Sequence, residues 1–247
     1  MEIEPDLLIL AGYGKIIKEK ILRLARIMCL NLHAGKLPKY RGSSPMNWAL
    51  INGETSFTLS IIKVNKGIDT GDLLQEKTFP ISLKDTIKTL HDLAAEEFPL
   101  LLLKTLSGIR NGTLAPSRQI REEASYYPLR FPEDGLILWD RLTAMEIHNR
   151  IRALAPPYPS AFTFYRGRKV KLVSSELHDF DFFGEPGRIY RITKRGFLIC
   201  ARDKCLWIRE ALFSESRESL HEIVHPYDKL LTLSGFVLDQ MGAGHDY

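Results

Sequence analysis

Residues 30–42 read LNLHAGKLPKYRG, and they close the apolar run IMCLNL that begins at Ile27. A short apolar run bounded by turn residues reads as a buried strand. Residues two apart on a strand share a face, so Asn31 and His33 project side by side from the strand's carboxyl end. A basic Gly/Pro-rich loop opens directly behind them. In open parallel α/β sheets, the carboxyl edge of the strands is where ligands bind. Asn brings an amide donor and acceptor to that edge, and His brings a nitrogen that can take or release a proton. Each has a bland reading as an ordinary satisfied side chain at a strand end.

Working outward, PDLLIL (5–10) reads as a strand closed by the glycine turn AGYG, and KEKILRLAR (18–26) carries helical spacing. Pro45 stands where a first helical turn tolerates it and Gly53 near the stop, which predicts a helix over 45–54. Strands are expected over 57–64 and 72–81. One long helix is expected from an N-cap at Ser82 to Gly108 or Gly112. Strands alternating with helices predict an α/β layer structure to about residue 112. Residues 113–135 lack any period and read as a linker or strap. From 136 to 247, a helix over 142–154, ended by Pro156 and Pro157, precedes five short strand candidates, which suggests a small β-barrel-like second domain. The boundary is expected near residue 135.

The bulk composition narrows the class. The 247 residues are 45% hydrophobic and 26% charged, and no run approaches the ~18 apolar residues of a membrane span. The acidic start MEIEPD shows no export signal. Cys29, Cys200 and Cys205 lack metal-ligand or redox-pair spacing, so reduced thiols and a cytoplasmic setting are expected. A net charge of +4 permits a polyanionic partner without arguing for one.

A second polar cluster, NKGIDTGDLL (65–74), follows the 57–64 strand. Gly67 and Gly71 bracket Asp69 and permit a tight loop. Such a loop could set the carboxylate against His33 and fix the tautomer of its ring.

The stretch NLHAGKLPKYRGSSPMNWALINGE followed by GIDTGDLL is similar to the signature of the folate-dependent formyltransferases. The Asn-x-His pair, the LPxYRG loop and the D-x-GD loop match in order. ILWDRL and HNRIRALAPPYPSAFTF resemble the family's C-terminal domain, with Ser160 where glycine is usual, a change expected to matter little. The resemblance covers nearly the whole chain. It implies a Rossmann-like catalytic domain followed by a small OB-like barrel, and N10-formyltetrahydrofolate as formyl donor to a primary amine, with no metal required. Asn31, His33 and Asp69 would be the catalytic residues, acting through a tetrahedral intermediate. AGYGKII matches the segment lining the family's pterin pocket. Tyr13, Gly14, Lys15, Ile16 and Ile17 would bind the donor there, with Ile68 across the cleft. Lys36, Lys39 and Arg41 read as residues that order the loop, with no site assigned to them.

Two acceptors are implied. HAGKLP, the Asn47–Trp48 pair and the strap YYPLRFPEDGLILW look more like the enzymes acting on nucleotide-linked amino sugars, the acceptor class expected over initiator tRNA. The basic run RGRKVK (166–171) would suit phosphates of an initiator tRNA, or simply a solvated hairpin. Against the family pattern, the chain lacks the usual N-terminal strand–helix units, so the catalytic domain is expected to be incomplete. Three explanations stand: a gene model begun at an internal Met, which is the one expected, an inactive relative kept as an interaction module, or a sheet completed in a homo-oligomer.

Overall fold

Two apolar runs near the head of the chain pair in parallel as β1 (Leu7–Ala11) and β2 (Met28–His33), with Leu10 opposite Asn31. The computed structural model describes residues 4–240. Its contacts divide the chain into two compact units, one built chiefly from residues up to Arg130 and one chiefly from Phe131 onward. The single-turn helix α1 (Glu19–Leu22) connects β1 to β2. After β2 come the two-residue strand β3 (Arg41–Gly42), α2 (Pro45–Ile51), β4 (Ser56–Lys63), β5 (Leu73–Pro80) and the long helix α3 (Ile87–Asn111).

The sheet order is β1-β2-β4-β5. Only β1 and β2 run parallel; β2–β4 and β4–β5 are antiparallel, and His33 lies opposite Ser60. The parallel sheet suggested by alternating strands and helices is thus a mixed one, because a loop over residues 64–72, not a helix, joins β4 to β5. β4 is buried from Phe57 to Ile62. Its two polar residues are satisfied there: Thr58 and Thr78 hydroxyls meet at 2.9 Å, and Ser60 donates to the Gly35 carbonyl at 2.9 Å.

Two helical expectations shift. The helix foreseen over 18–26 contracts to one turn with no buried residue, since propensity without a covered apolar face does not sustain a longer one. The long helix begins at Ile87 and not at Ser82. The Ser82 N–H and hydroxyl both donate to Asp85 Oδ2 at 2.7 Å, which closes a separate turn ahead of the helix. Its end falls at Gly112, whose φ of +65° suits the left-handed stop. The strap, which shows no strand period in sequence, contributes β6 (Tyr126–Tyr127), which pairs in parallel with β3.

In the second unit, α4 (Ala144–Ala153) precedes β7 (Ala161–Tyr165), β8 (Arg168–Leu177), β9 (Ile189–Thr193), β10 (Gly196–Cys200) and β11 (Cys205–Phe213), and α5 (Leu233–Gln240) follows. The strands form an antiparallel sheet in the order β7-β8-β11-β10-β9. Among the described residues β7 and β9 do not pair, so hydrogen bonds do not close the expected barrel. Register shifts in the β8–β11 and β9–β10 pairs coil the sheet instead. Its core holds Trp139, Ile147 and Ile151 against Val170, Phe197, Ile208 and Phe213. Cys200 and Cys205, expected as reduced thiols, face each other across β10 and β11 with their sulfurs in contact. Five residues apart in sequence, they become neighbours once the hairpin closes. Ser160 takes a φ of +73°, a conformation glycine adopts freely and serine resists. The glycine usual at this position therefore has a backbone reason, and the substitution is not the neutral change expected.

Helix α4 starts with a reciprocal cap. The Glu146 N–H donates to the Thr143 hydroxyl at 3.2 Å, and the Glu146 carboxylate accepts the Thr143 N–H at 2.7 Å and its hydroxyl at 2.8 Å. The backbone bond from Thr143, then its hydroxyl, hold the Glu146 carboxyl below the ordinary range against the opposing effect of burial; Arg202 and Arg150 add to the lowering. A depressed carboxyl contributes stability above the ordinary glutamate range and loses it as pH falls through the depressed value. Thr143→Ala should cost about 1 kcal/mol near neutral pH. The cost should shrink as the pH drops below about 4, which urea unfolding across that range would measure.

Candidate active site

The site is built on β2 and three loops. Asn31 and His33 sit on one face of the strand, and the loop after β4 doubles back across them. Asp69 at its tip turns in the left-handed region, φ +52°, where non-glycine residues are uncommon. Its side chain is held at several points. Asn31 Nδ2 donates to Asp69 Oδ1 at 3.3 Å, the Gly42 N–H donates to Oδ2 at 2.9 Å, and His33 Nδ1 lies 3.6 Å from the same oxygen. Surroundings that over-determine a strained residue in this way are characteristic of functional sites.

His33 is buried, at 6% exposure, and its Nε2 lies 2.7 Å from the Tyr40 carbonyl. A carbonyl only accepts, so Nε2 carries a proton. The tautomer is therefore set by the backbone of the LPxYRG loop and not by Asp69, as the sequence reading had it. Asp69 instead faces the other nitrogen. A Cβ on Gly35 would fall 2.6 Å from His33 Nε2 and 2.7 Å from the Tyr40 oxygen, so this close contact depends on a residue without a side chain.

Asn31, His33 and Asp69 open onto a cavity of about 530 Å³. Tyr13, Gly14, Lys15, Ile16 and Ile17 line one side, and Ile68 comes from the Asp69 loop, so the nine residues singled out from sequence meet in one cavity. Among the described residues, no backbone hydrogen bond ties Tyr13–Ile17 to the rest of the protein, which leaves their N–H and C=O groups available. Ile16 is 74% exposed, an apolar wall without a cover.

Sequence reasoning foresaw a strap but placed none of its residues in the site. Tyr127, Pro128 and Leu129 line the cavity. Tyr127 stacks on Tyr40 at 4.8 Å and tilts against Trp48 at 5.2 Å; Trp48 donates its indole N–H to the Pro128 carbonyl at 3.1 Å. Arg130 lies over the Trp48 ring at 4.8 Å. Arg41, left as a loop-ordering residue, does order the loop: it is buried, and it donates to Gln119 and to the Tyr126 hydroxyl. The clustered aromatics YY and W, far apart in sequence, were the available signal.

A paired amide, imidazole and carboxylate beside an apolar cavity define the equipment for acyl transfer, with donors for a developing oxyanion and groups to carry a proton. A family model described as formyl transferase matches residues 1–106, and one described as its C-terminal domain matches residues 131–223. The chain is 38% identical over 219 residues to a methionyl-tRNA formyltransferase of Caldanaerobacter subterraneus subsp. tengcongensis, covering 88% of this chain and 69% of that one. The chain belongs to the formyl transferase family. It spans between 63% and 69% of the lengths of the curated relatives it matches. Among solved structures, HypX from Aquifex aeolicus in complex with tetrahydrofolic acid resembles it with a TM-score of 0.67 at 21% identity, over 97% of this chain and 39% of that one. An N-formyltransferase from Helicobacter canadensis in complex with folinic acid and dTDP-3-aminofucose does so with a TM-score of 0.66 at 23% identity, over 81% of this chain and 72% of that one.

Gly71 closes the Asp69 loop against β4, and a Cβ there would fall 1.6 Å from the Lys63 carbonyl oxygen. That backbone cannot yield easily, because the Lys63 N–H is bonded to the Asp72 carbonyl at 2.9 Å. Gly71→Ala should destabilise the fold by about 1–3 kcal/mol. Denaturant unfolding checks this, with Gly14→Ala, where a Cβ meets nothing within 4 Å, as the mild control.

Proposed function

We propose that this chain transfers a formyl group from N10-formyltetrahydrofolate to a primary amine. The observation that carries the reading is the Asn31–Asp69–His33 cluster opening onto the cavity that the Tyr13–Ile17 segment lines, in a chain of the formyl transferase family. The apolar wall and free backbone groups of that segment suit a flat heteroaromatic ring with polar edges, as a pterin has.

The roles follow from the hydrogen bonds. One Nδ2 hydrogen of Asn31 is committed to Asp69, which fixes the amide plane and leaves the other for the oxygen of the formyl group. As the amine attacks, that oxygen gains charge in the tetrahedral intermediate, and a fixed donor is worth about 3–4 kcal/mol to it. His33 Nδ1 is the ring nitrogen that faces Asp69, so a proton received there would lie against a carboxylate. Asp69 and His33 together would take the amine proton and return it to the departing folate nitrogen.

For the acceptor, methionyl-tRNA is the better supported amine, because relatives at 34–38% identity carry that name. The second reading, a nucleotide-linked amino sugar, rests on HAGKLP, the Asn47–Trp48 pair and the strap from Tyr126 onward, which resemble the enzymes acting on such sugars. Trp48 holds the strap that lines the cavity, and Gly35 permits the His33–Tyr40 contact. The test is a formyl-transfer assay offering methionyl-tRNA and a panel of nucleotide-linked amino sugars in parallel. Activity with one acceptor class decides between them. A folded chain inert towards all would favour an inactive relative serving as an interaction module. In an active chain, His33→Ala should lower kcat by about 100-fold or more while donor binding persists. Wild-type turnover in that variant would refute the assignment.

A further inference from the structure

We propose that Gln119, on the strap, is a positioning residue for the Asn31–His33–Asp69 cluster; this rests on reading that cluster as the reacting groups. Gln119 is the one residue between Ala115 and Glu123 that is not exposed. Its Nε2 donates to the Asp69 carbonyl at 2.8 Å and to the Gly71 carbonyl at 2.6 Å. Its Oε1 accepts from Arg41 Nε at 3.0 Å and from Nη2 at 2.6 Å. Both hydrogens and both lone pairs of one amide are thereby used.

The two loops it joins carry the site. On the nitrogen side is the loop whose tip is Asp69. On the oxygen side is Arg41, between Tyr40, whose carbonyl holds His33 Nε2, and Gly42, whose N–H holds Asp69 Oδ2. Gln119 therefore sets the spacing between the carboxylate and the two backbone groups that fix it and the imidazole.

The chemistry demands an amide. Arg41 is 3% exposed, and among the described residues no carboxylate pairs with it; the Gln119 oxygen and the Tyr126 hydroxyl receive its protons. The opposite side presents two carbonyl oxygens, which require donors. A carboxylate would satisfy the cation and repel the carbonyls, whereas an ammonium would do the reverse. Only a side chain with an acceptor at one end and two hydrogens at the other serves both, and a reversed amide would be wrong on both sides.

Gln119→Glu isolates the role, because it retains the Arg41 contact and replaces the bonds to the Asp69 and Gly71 carbonyls by repulsion. In the full chain, it should fold, keep the KM for the folate donor nearly unchanged and lower kcat about 10- to 100-fold, the scale of a small misplacement of reacting groups. The ¹⁵N resonances of the His33 ring should move in parallel. Gln119→Ala should do the same, and if it fails to fold, Gln119→Glu decides alone. Unchanged kcat with unchanged His33 resonances overturns the proposal, as does a loss of kcat that merely tracks the unfolded fraction. If the wild-type chain transfers no formyl group, the functional reading falls, and the His33 resonances of Gln119→Glu still decide the positioning role.

Discussion

The carboxylate of Asp69 accepts from the Asn31 amide and the Gly42 N–H while it faces His33 Nδ1, and this sharing constrains much of the first unit. It requires a left-handed residue at the loop tip, glycine at position 71 where the loop meets β4, and a fixed position for residues 40–42. None of these is stabilising by itself. Each is held because a neighbour is held: the loop by β4, the His33 ring by the Tyr40 carbonyl, the Tyr40 ring by Tyr127 and Glu54. A buried imidazole whose Nε2 donates to a carbonyl has its ring orientation fixed, with Nδ1 turned toward the Asp69 carboxylate.

How far this was legible in the sequence depends on the distance over which each signal acts. Strand pairing with a two-residue repeat made the Asn31–His33 face readable from six letters, and the glycines around Asp69 announced a tight loop. That loop offered Asp69 as a partner for His33, and the family resemblance supplied its catalytic role and the Tyr13–Ile17 wall as part of the site. The direction of β4 was not readable, because a fully buried strand has the same composition whether its neighbour runs parallel or antiparallel. Ser82 had the chemistry of a helix cap, but Asp85 captured it in a local turn. Gln119 was invisible for a different reason: a lone glutamine in a polar, aperiodic stretch carries no pattern, and its three partner residues come from two loops.

The strap changes the meaning of Trp48 as well. As a letter in SPMNWAL, it hinted at one class of acceptor over another. In the fold, its indole N–H anchors Pro128 and its ring lies beneath Arg130, so it acts on the cavity by holding the wall formed by Tyr127, Pro128 and Leu129. A residue can thus shape a cavity without lining it, through the segment it clamps.

The pairing of β3 with β6 also has a consequence for the order of events during synthesis. Arg41 finds its Tyr126 partner 85 residues further along the chain, and Tyr40 finds its Ser125 hydroxyl at the same separation. The strands β1, β2, β4 and β5 can emerge from a ribosome and pair while the backbone beside His33 still lacks its lock. At about 5–20 residues per second, several seconds separate the histidine from the segment that immobilises its acceptor. A nascent chain halted before residue 119 would therefore carry the three chemical groups without their geometry, so this centre is completed late, by a stretch that reads as a connector.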